Sequence, residues 1–177
     1  MTSDRTILIT GVTGHQGGAV AQALGGGSGF QLRGLTRKPE SDRAVALARQ
    51  GVEIVKGDLD DEASLRRALA GAWGVFAVQN TQEAGVEREE TQGKRLATLA
   101  REAGVEHFVY TSVGSANKRT GVPHFDNKWR IEETVRGLRF PSHVILRPVF
   151  FMENLLAPTV SRAQRWPGRS GQARSYR

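Results

Sequence analysis

Short apolar runs and longer amphipathic stretches alternate along the chain. The apolar runs are rich in β-branched residues and are short enough for strands buried in a parallel sheet. They predict strands at Thr6–Thr10, Gln31–Thr36, Glu53–Lys56, Gly74–Gln79, His107–Thr111 and Ser142–Leu146. The stretches between them carry apolar residues at helical spacing. They predict helices at Gly18–Leu24, Ser41–Gln50, Glu62–Ala70, Arg88–Ala103 and Asp126–Arg136.

Strands that alternate with helices predict right-handed βαβ crossovers. The expected fold class is therefore α/β, a doubly wound parallel sheet of about six strands. Glycines follow four of the predicted helices, where a left-handed residue is commonly glycine. They are Gly51, Gly71, Gly104 and Gly137.

The first predicted strand runs directly into three glycines spaced as G-x-x-G-x-x-G. Gly11 allows a tight turn, Gly14 removes a Cβ where backbone must approach a pyrophosphate, and Gly17 lets the next helix pack closely on the strand. The N–H groups and dipole of that helix then face the anion. The motif predicts a dinucleotide site that also includes Thr13, His15 and Gln16, and its alternative is a merely structural tight turn.

Residues after the second and third strands predict contacts with the adenosine half of a dinucleotide. Arg37 and Lys38, which follow Thr36, are cations that suit the 2′-phosphate of NADP(H). A preference for NAD(H) would instead require a carboxylate here to accept from its free 2′-hydroxyl. The pair therefore favours NADP(H) over NAD(H). Their alternative is two exposed cations on a loop. Asp58 is expected to accept from the adenine amino group with Leu59 packing beside the ring, although Asp58 also suits a helix N-terminus.

Later strand ends supply further polar candidates at the same sheet edge. Gln79 and Asn80 are placed to contact ribose or phosphate, or only to cap a turn. Thr111 and Ser112 end the fifth strand. Lys128 begins a helical run and can reach the nicotinamide ribose, or it is an ordinary surface lysine.

Composition excludes several kinds of function. The chain has 177 residues, no cysteine and four histidines without metal-ligand spacing, so we expect one main domain and no metal site. No apolar run approaches the roughly 20 residues of a membrane helix, and the polar amino end is unlike a signal peptide. We therefore expect a cytoplasmic protein with no membrane partner.

The net charge of +7 does not predict a nucleic-acid surface, because its distribution is uneven. Residues 161–177 contain five arginines and no acid, which leaves about +2 for residues 1–160. This tail also lacks apolar periodicity, so we expect it to be poorly ordered and 1–160 to form the folded domain. A shifted reading frame or a truncated gene would produce such a tail.

The ordered set GVTGHQG, LTRKP, GDLDD, GVFAV, YTSVGSA, VPHFDNK and RPVFFMENL resembles the NmrA-like family, an atypical branch of the short-chain dehydrogenase/reductases, and its redox-sensor type most of all. The likeness covers about 5–158. It implies a Rossmann-type NADP-binding domain followed by a small domain that closes the substrate cleft. It also implies cofactor contacts from Gly11, Gly14, Gly17, Arg37, Asp58, Leu59 and Lys128.

The chain departs from this resemblance in two respects. Catalytic members of the superfamily carry a tyrosine four residues before the lysine, whereas this chain has His124 there. His124 and Lys128 are therefore candidates for a catalytic role, but polar lining of the cleft is the expected role of His124. From the resemblance we also expect the portion that forms the last strand and substrate lid in relatives to be missing after Pro158, and without it water exclusion would be poor.

Three functions follow as hypotheses. The first is an NADP(H)-binding, redox-sensing regulator whose cofactor occupancy shifts a surface that a protein partner recognises. The second is an NAD(P)H-dependent reductase of quinones or similar small electrophiles. The third is a truncated fragment without function. Whether the chain is an enzyme is left open by the residues.

Overall fold

The structure, a computed structural model, describes residues 5–27 and 29–152. Within these ranges it contains six strands and six α-helices. The strands are β1 (Thr6–Ile9), β2 (Gln31–Thr36), β3 (Glu53–Lys56), β4 (Ala72–Ala77), β5 (His107–Thr111) and β6 (Ser142–Leu146). The helices are α1 (His15–Gly25), α2 (Asp42–Arg49), α3 (Glu62–Leu69), α4 (Thr81–Ala84), α5 (Val86–Glu102) and α6 (Pro123–Gly137).

The strands form one parallel sheet in the order β3-β2-β1-β4-β5-β6. The chain moves outward from β1 to β3, then returns to the other side of β1 and moves outward again. This order confirms the predicted doubly wound α/β fold. Its reversal lies between β1 and β4, where ligands of such sheets bind outside the carboxyl ends of the strands.

The two faces of the sheet carry separate parts of the core, because neighbouring residues of a strand point to opposite faces. Leu8 packs with Leu65, Leu96 and Phe108 on the face covered by α3, α5 and α6. Ile9, the next residue of β1, belongs to a smaller cluster on the other face. Strands β1, β2, β4 and β5 contribute buried residues, whereas β3 and β6, the two edge strands of the described sheet, contribute none.

Some predicted boundaries were wrong. Helix α1 starts at His15 and not at Gly18, because its first turn is polar and glycine-rich and shows no apolar spacing. Strand β4 runs from Ala72 to Ala77, two residues earlier than predicted, in register with β1 and β5. The short helix α4 was not predicted, since four residues are too few to show periodicity.

The prediction of left-handed glycines after helices holds at three positions and fails at one. Gly51, Gly71 and Gly104 have φ of +89°, +69° and +79°. Gly137 is instead the last residue of α6, and Arg139 adopts the left-handed conformation with φ of +50°. Gly137 therefore comes before the left-handed position, because α6 extends as far as this glycine.

A buried carboxylate ties α6 to the segment after β6. Glu132 is fully buried and accepts hydrogen bonds from Arg147 Nη2 at 2.6 Å, Arg136 Nη2 at 2.8 Å and Ser112 Oγ at 2.6 Å. Burial by itself would raise the pKa of Glu132, but these donors together outweigh it, so the pKa lies below the usual value. Glu132 is therefore held as a carboxylate.

Strand β6 lies at one edge of the sheet and is largely exposed. The segment that follows it ends the described part with exposed apolar side chains, of which Val149 and Met152 are 87% and 78% exposed. The arginine-rich stretch 161–177 and the boundary predicted at residue 160 lie outside the described residues. None of the helices in the described ranges combines the length and the apolar character that crossing a bilayer requires.

Candidate functional site

A cleft of about 1280 Å³ opens at the carboxyl ends of β1, β2, β3 and β4, beside the point where the strand order reverses. Pockets for drug-sized ligands are usually about 300–1,000 Å³, so this cleft can hold a larger molecule. Most of the predicted cofactor residues line it. They are Gly11, Thr13, Gly14, His15, Gln16, Gly17, Thr36, Arg37, Lys38, Asp58, Leu59, Gln79 and Asn80.

The glycine loop has the geometry that its spacing predicts. Gly11 is left-handed, with φ of +58°, and its carbonyl accepts from the Gly14 N–H at 2.9 Å. A Cβ at Gly17 would lie only 2.3 Å from the Gly11 carbonyl oxygen, so the close approach of α1 to the loop requires glycine there. Gly14 is exposed to the cleft, and a Cβ on it would lie 3.2 Å from the same oxygen.

The amino end of α1 lacks the groups that usually complete a helix. Its N-cap is Gly14, no side chain caps it, and its first turn contains no acid. Each of the other five α-helices of the described residues has an acid in its first turn. The first N–H groups of a helix have no partner within it, and together with the dipole they attract an anion. This end of α1 is therefore suited to a phosphate.

Two loop cations stand on the adjacent wall of the cleft. The Lys38 N–H donates to Thr36 Oγ1 at 3.2 Å, which shapes the turn after β2. Arg37 is ion-paired with Glu83 of α4, and both side chains are about half exposed, at 55% and 54%. The hydrogen bond to Glu83 raises the pKa of the Arg37 guanidinium. Glu83 was not foreseen as part of the site.

Arg43 is a second cleft residue that the sequence reasoning missed. It lies in the first turns of α2 and donates from Nη1 to the Thr13 carbonyl at 3.0 Å. It therefore ties α2 to the glycine loop. Its position shortly after Thr36-Arg37-Lys38, on the first helix to follow, was the available signal.

Asp58 takes part in a turn and does not cap α3. Its Oδ1 accepts from the Asp60 N–H at 3.0 Å, and the N-cap of α3 is Asp61, which accepts from the Ala63 N–H at 3.0 Å. The helix-cap alternative for Asp58 was therefore wrong. Leu59 lines the cleft and its carbonyl accepts from Arg95 Nη1 at 2.9 Å, which fixes the loop to α5.

Gln79 and Asn80, after β4, have different environments. Asn80 caps α4, with its Oδ1 accepting from the Gln82 N–H at 3.1 Å. Gln79 is buried, and neither atom of its amide has a hydrogen-bond partner. An unpartnered buried amide is unusual, and its place in the cleft wall leaves it available to a bound polar group.

Three predicted residues and one catalytic candidate lie outside the cleft lining. Thr111 Oγ1 donates to Gln16 Oε1 at 2.7 Å and so contacts the glycine loop indirectly. The Ser112 hydroxyl donates a hydrogen bond to Glu132. Lys128 donates to Glu89 Oε1 at 2.6 Å, and only 12% of its side chain is exposed. His124, near the start of α6, packs edge-on against Phe125.

Glu89 is the centre of a buried network that the sequence analysis missed. It is fully buried on α5 and also accepts from Asn127 Nδ2 at 2.9 Å and from the Thr81 hydroxyl. Glu89 lies at helical spacing from the buried Leu96, so both side chains are on the core-facing side of α5. This spacing was the sequence signal that could have identified Glu89. Glu89 therefore joins α4, α5 and α6 beside the cleft.

Tyr110, near this network, stays protonated. Its hydroxyl is buried without a hydrogen-bond partner. Burial raises the pKa of Tyr110 well above its usual range, and the charges of Glu89 and Glu132 raise it further. Tyr110 therefore carries no charge into the core. Among the described residues, no group of three or more His, Cys, Asp or Glu side chains is placed to hold a metal ion.

The parallel sheet, the glycine loop and the cleft at the strand reversal define an α/β protein of the Rossmann type. The profile of the NmrA-like family matches residues 3–173, and the chain belongs to that family. The resemblance found in the sequence is thereby confirmed.

Individual relatives agree with this assignment. The NmrA-like family domain-containing oxidoreductase himF of Aspergillus japonicus is 34% identical over 163 residues, which are 88% of this chain and 49% of the relative. The chain therefore spans about half the length of the curated relatives it matches. An Escherichia coli NADPH-dependent quinone oxidoreductase, solved with NADPH, has a TM-score of 0.72 and 28% identity, over 85% of this chain and 51% of that one.

A second solved structure is that of NmrA, a negative transcriptional regulator in complex with NAD. It has a TM-score of 0.69 and 26% identity, over 80% of this chain and 45% of that one. The structural relatives thus include both a reductase and a regulator, and each was solved with a nicotinamide dinucleotide.

Proposed function

We propose that the cleft binds NADP(H). The observation that carries this proposal is the amino end of α1, which has neither a capping side chain nor an acid in its first turn. The glycines of the loop before it allow a ligand to approach the backbone closely. A pyrophosphate would satisfy its free N–H groups. The structures of relatives solved with NADPH and NAD support the same assignment.

The remaining cleft residues divide between the parts of this cofactor. Arg37 and Lys38 would hold the 2′-phosphate, and Asp58 with Leu59 would contact the adenine. Gln79 offers an unpartnered amide to the ribose or phosphate. The cofactor itself would supply hydride transfer.

We further propose a regulatory role, in which cofactor occupancy changes the population of a surface read by a protein partner. The position of the catalytic candidates favours this role. Neither His124 nor Lys128 lines the cleft, and Lys128 is held by the buried Glu89. The likeness to NmrA, a negative transcriptional regulator, supports it.

Reduction of quinones or similar electrophiles is the second candidate. It is favoured by the likeness to a quinone oxidoreductase and by the oxidoreductase names of the curated relatives. Oxidation of NADPH with a panel of quinones separates the two: turnover above the rate without protein supports the reductase, and its absence despite cofactor binding supports the regulator. A fragment without function would bind no cofactor.

Calorimetry with NADP⁺ and NAD⁺ tests the binding proposal directly. Arg37→Ala is expected to weaken NADP⁺ much more than NAD⁺, because only NADP⁺ carries the 2′-phosphate. Arg66→Ala is the matched control, since Arg66 is similarly exposed and ion-paired but lies on α3 outside the cleft lining. Equal weakening of both cofactors by Arg37→Ala would contradict the assignment of Arg37.

Gly14→Val tests the phosphate site. The added side chain would fill the close-approach position, so it is expected to abolish dinucleotide binding while the domain stays folded. Gly25→Val, at the far end of α1 where a Cβ meets open space, is the control. In thermal unfolding, a ligand at about 100 times its dissociation constant stabilises a protein by roughly 2.7 kcal/mol, and Gly14→Val should lose this gain.

A further inference from the structure

The ion pair between Arg37 and Glu83 crosses the cleft between two separate walls. Arg37 follows β2, and Glu83 lies on α4, which follows β4. Both residues line the cleft. The guanidinium proposed for the 2′-phosphate is therefore already occupied by a carboxylate of the same chain.

We infer that Glu83 is a specificity-determining residue that lowers the affinity for NADP(H) and leaves that for NAD(H) unchanged. This inference rests on the proposed function. To bind Arg37, a 2′-phosphate must displace the Glu83 carboxylate and then remain close to its negative charge. The uncharged 2′-hydroxyl of NAD(H) neither displaces the Glu83 carboxylate nor is repelled by it, so Glu83 does not weaken the binding of NAD(H).

The displacement is feasible because the pair is exposed. Exposed ion pairs contribute little to stability, whereas a guanidinium binds phosphate through charge-assisted, often two-pronged hydrogen bonds. Asp58 and Arg88, which are of opposite sign to each other, also act on the charge of Arg37. Arg88 is itself held by Asp60, from Nε to Oδ2 at 2.6 Å. Glu83 is therefore the carboxylate that engages Arg37.

Glu83 is also held in position. Helix α4 is capped by Asn80 at its start, and Gly85, with φ of +79°, turns the chain into α5 at its end. Thr81 of the same helix bonds the buried Glu89. These contacts fix α4 against the fold, so the Glu83 carboxylate can rotate away from Arg37 but cannot leave the cleft wall.

Calorimetric titration of Glu83→Gln with NADP⁺ and NAD⁺ tests this inference. We expect the NADP⁺ affinity to rise about three- to tenfold, on the scale of exposed charge pairs, and the NAD⁺ affinity to change less than about twofold. Glu83→Lys should raise NADP⁺ affinity further. Glu62→Gln is the matched control, because Glu62 is 55% exposed and ion-paired with Arg66 outside the cleft lining. It should change neither affinity.

Each other outcome overturns the inference. An equal rise for both cofactors would mean a general charge effect. A loss of NADP⁺ affinity in Glu83→Gln would mean that Glu83 holds Arg37 in a binding conformation. No binding of either cofactor by the parent protein would overturn the proposed function together with this inference, whereas parent binding of both with no change in Glu83→Gln would overturn the inference alone.

Discussion

Glu83 and Glu89 lie on successive helices beside the same cleft, and their ion pairs differ in exposure and in the number of groups that bond the carboxylate. Glu83 pairs with Arg37 in solvent, with both side chains about half exposed. Glu89 is fully buried and accepts from Lys128, Asn127 and Thr81. The exposed pair can exchange its partner for a ligand at small cost, whereas the buried pair cannot open without leaving charge in the core.

Glu132 belongs with Glu89 in this comparison. It too is fully buried and is held by Arg147, Arg136 and Ser112. The carboxylates of this fold therefore differ in role according to their exposure. Buried carboxylates hold α5 and α6 in place, and exposed charges on the cleft walls are available for binding.

Replacing Glu132 should have the largest effect on stability. Glu132→Ala leaves Arg147, Arg136 and Ser112 without their shared acceptor, and breaking a buried pair typically costs about 3–5 kcal/mol. We expect a loss of about 3 kcal/mol in the free energy of unfolding by urea, since both arginines remain partly exposed. The exposed neighbour Glu133→Ala is the control. A loss no larger than that of the control would remove the distinction between buried and exposed charges.

Glu89→Gln should have the next largest effect. An amide keeps the size of the side chain but offers one acceptor where the carboxylate offers two, and it leaves the ammonium of Lys128 uncompensated. We expect a loss of about 2 kcal/mol in thermal or urea unfolding. Glu87→Gln, exposed on the same helix, should be nearly neutral. Similar losses in the two variants would show that the network around Glu89 contributes nothing beyond surface charge.

The stability of the protein should fall in acid partly because of Glu132. Its folded pKa lies below its unfolded value, for which 4.5 is the ordinary figure. The carboxylate therefore stabilises the fold fully above that unfolded value, and the contribution is lost as the pH falls through the folded pKa. Urea unfolding at a series of pH values should show a shallower acid decline in Glu132→Gln than in the parent. An unchanged acid slope would assign the decline to other carboxylates, such as Asp60.

Arg37→Ala should have the smallest effect on the free protein. Its pair with Glu83 is exposed, so we expect a change of less than about 0.5 kcal/mol in unfolding without cofactor, although NADP⁺ affinity falls. Urea unfolding with and without NADP⁺ measures both effects on one variant. If Arg37→Ala destabilised the free protein as much as Glu89→Gln, the proposed exchange of partners at Arg37 would be excluded.

The fold could be predicted from the sequence because its signals are local. Apolar runs, helical spacing and the glycine triplet each lie within one short stretch, and together they predict a doubly wound sheet with a nucleotide site at the glycine loop. Gly137 shows the limit of such signals. A glycine near a helix end predicts a left-handed residue there, but Gly137 is still helical as the last residue of α6, and the left-handed residue is Arg139.

The partners of charged residues could not be predicted. Arg37 and Glu83 are 46 positions apart, and Lys128 and Glu89 are 39 apart. The packing of α4, α5 and α6 determines which charged residues form ion pairs, and this packing cannot be derived from the spacing of residues in the sequence. The sequence therefore predicted Lys128 as a cofactor residue from a motif, while the packing of α5 against α6 gives it a buried carboxylate as its partner.

The bare amino end of α1 has a consequence for motion. A glycine N-cap costs a helix a few tenths of a kcal/mol relative to a capping side chain, so the first turn of α1 lacks some of the local stability that α2 and α3 receive from Ser41 and Asp61. Its amide protons should exchange with deuterated solvent early in the free protein. A bound pyrophosphate would slow that exchange, so the exchange rates of these amides would show whether the cleft holds a dinucleotide.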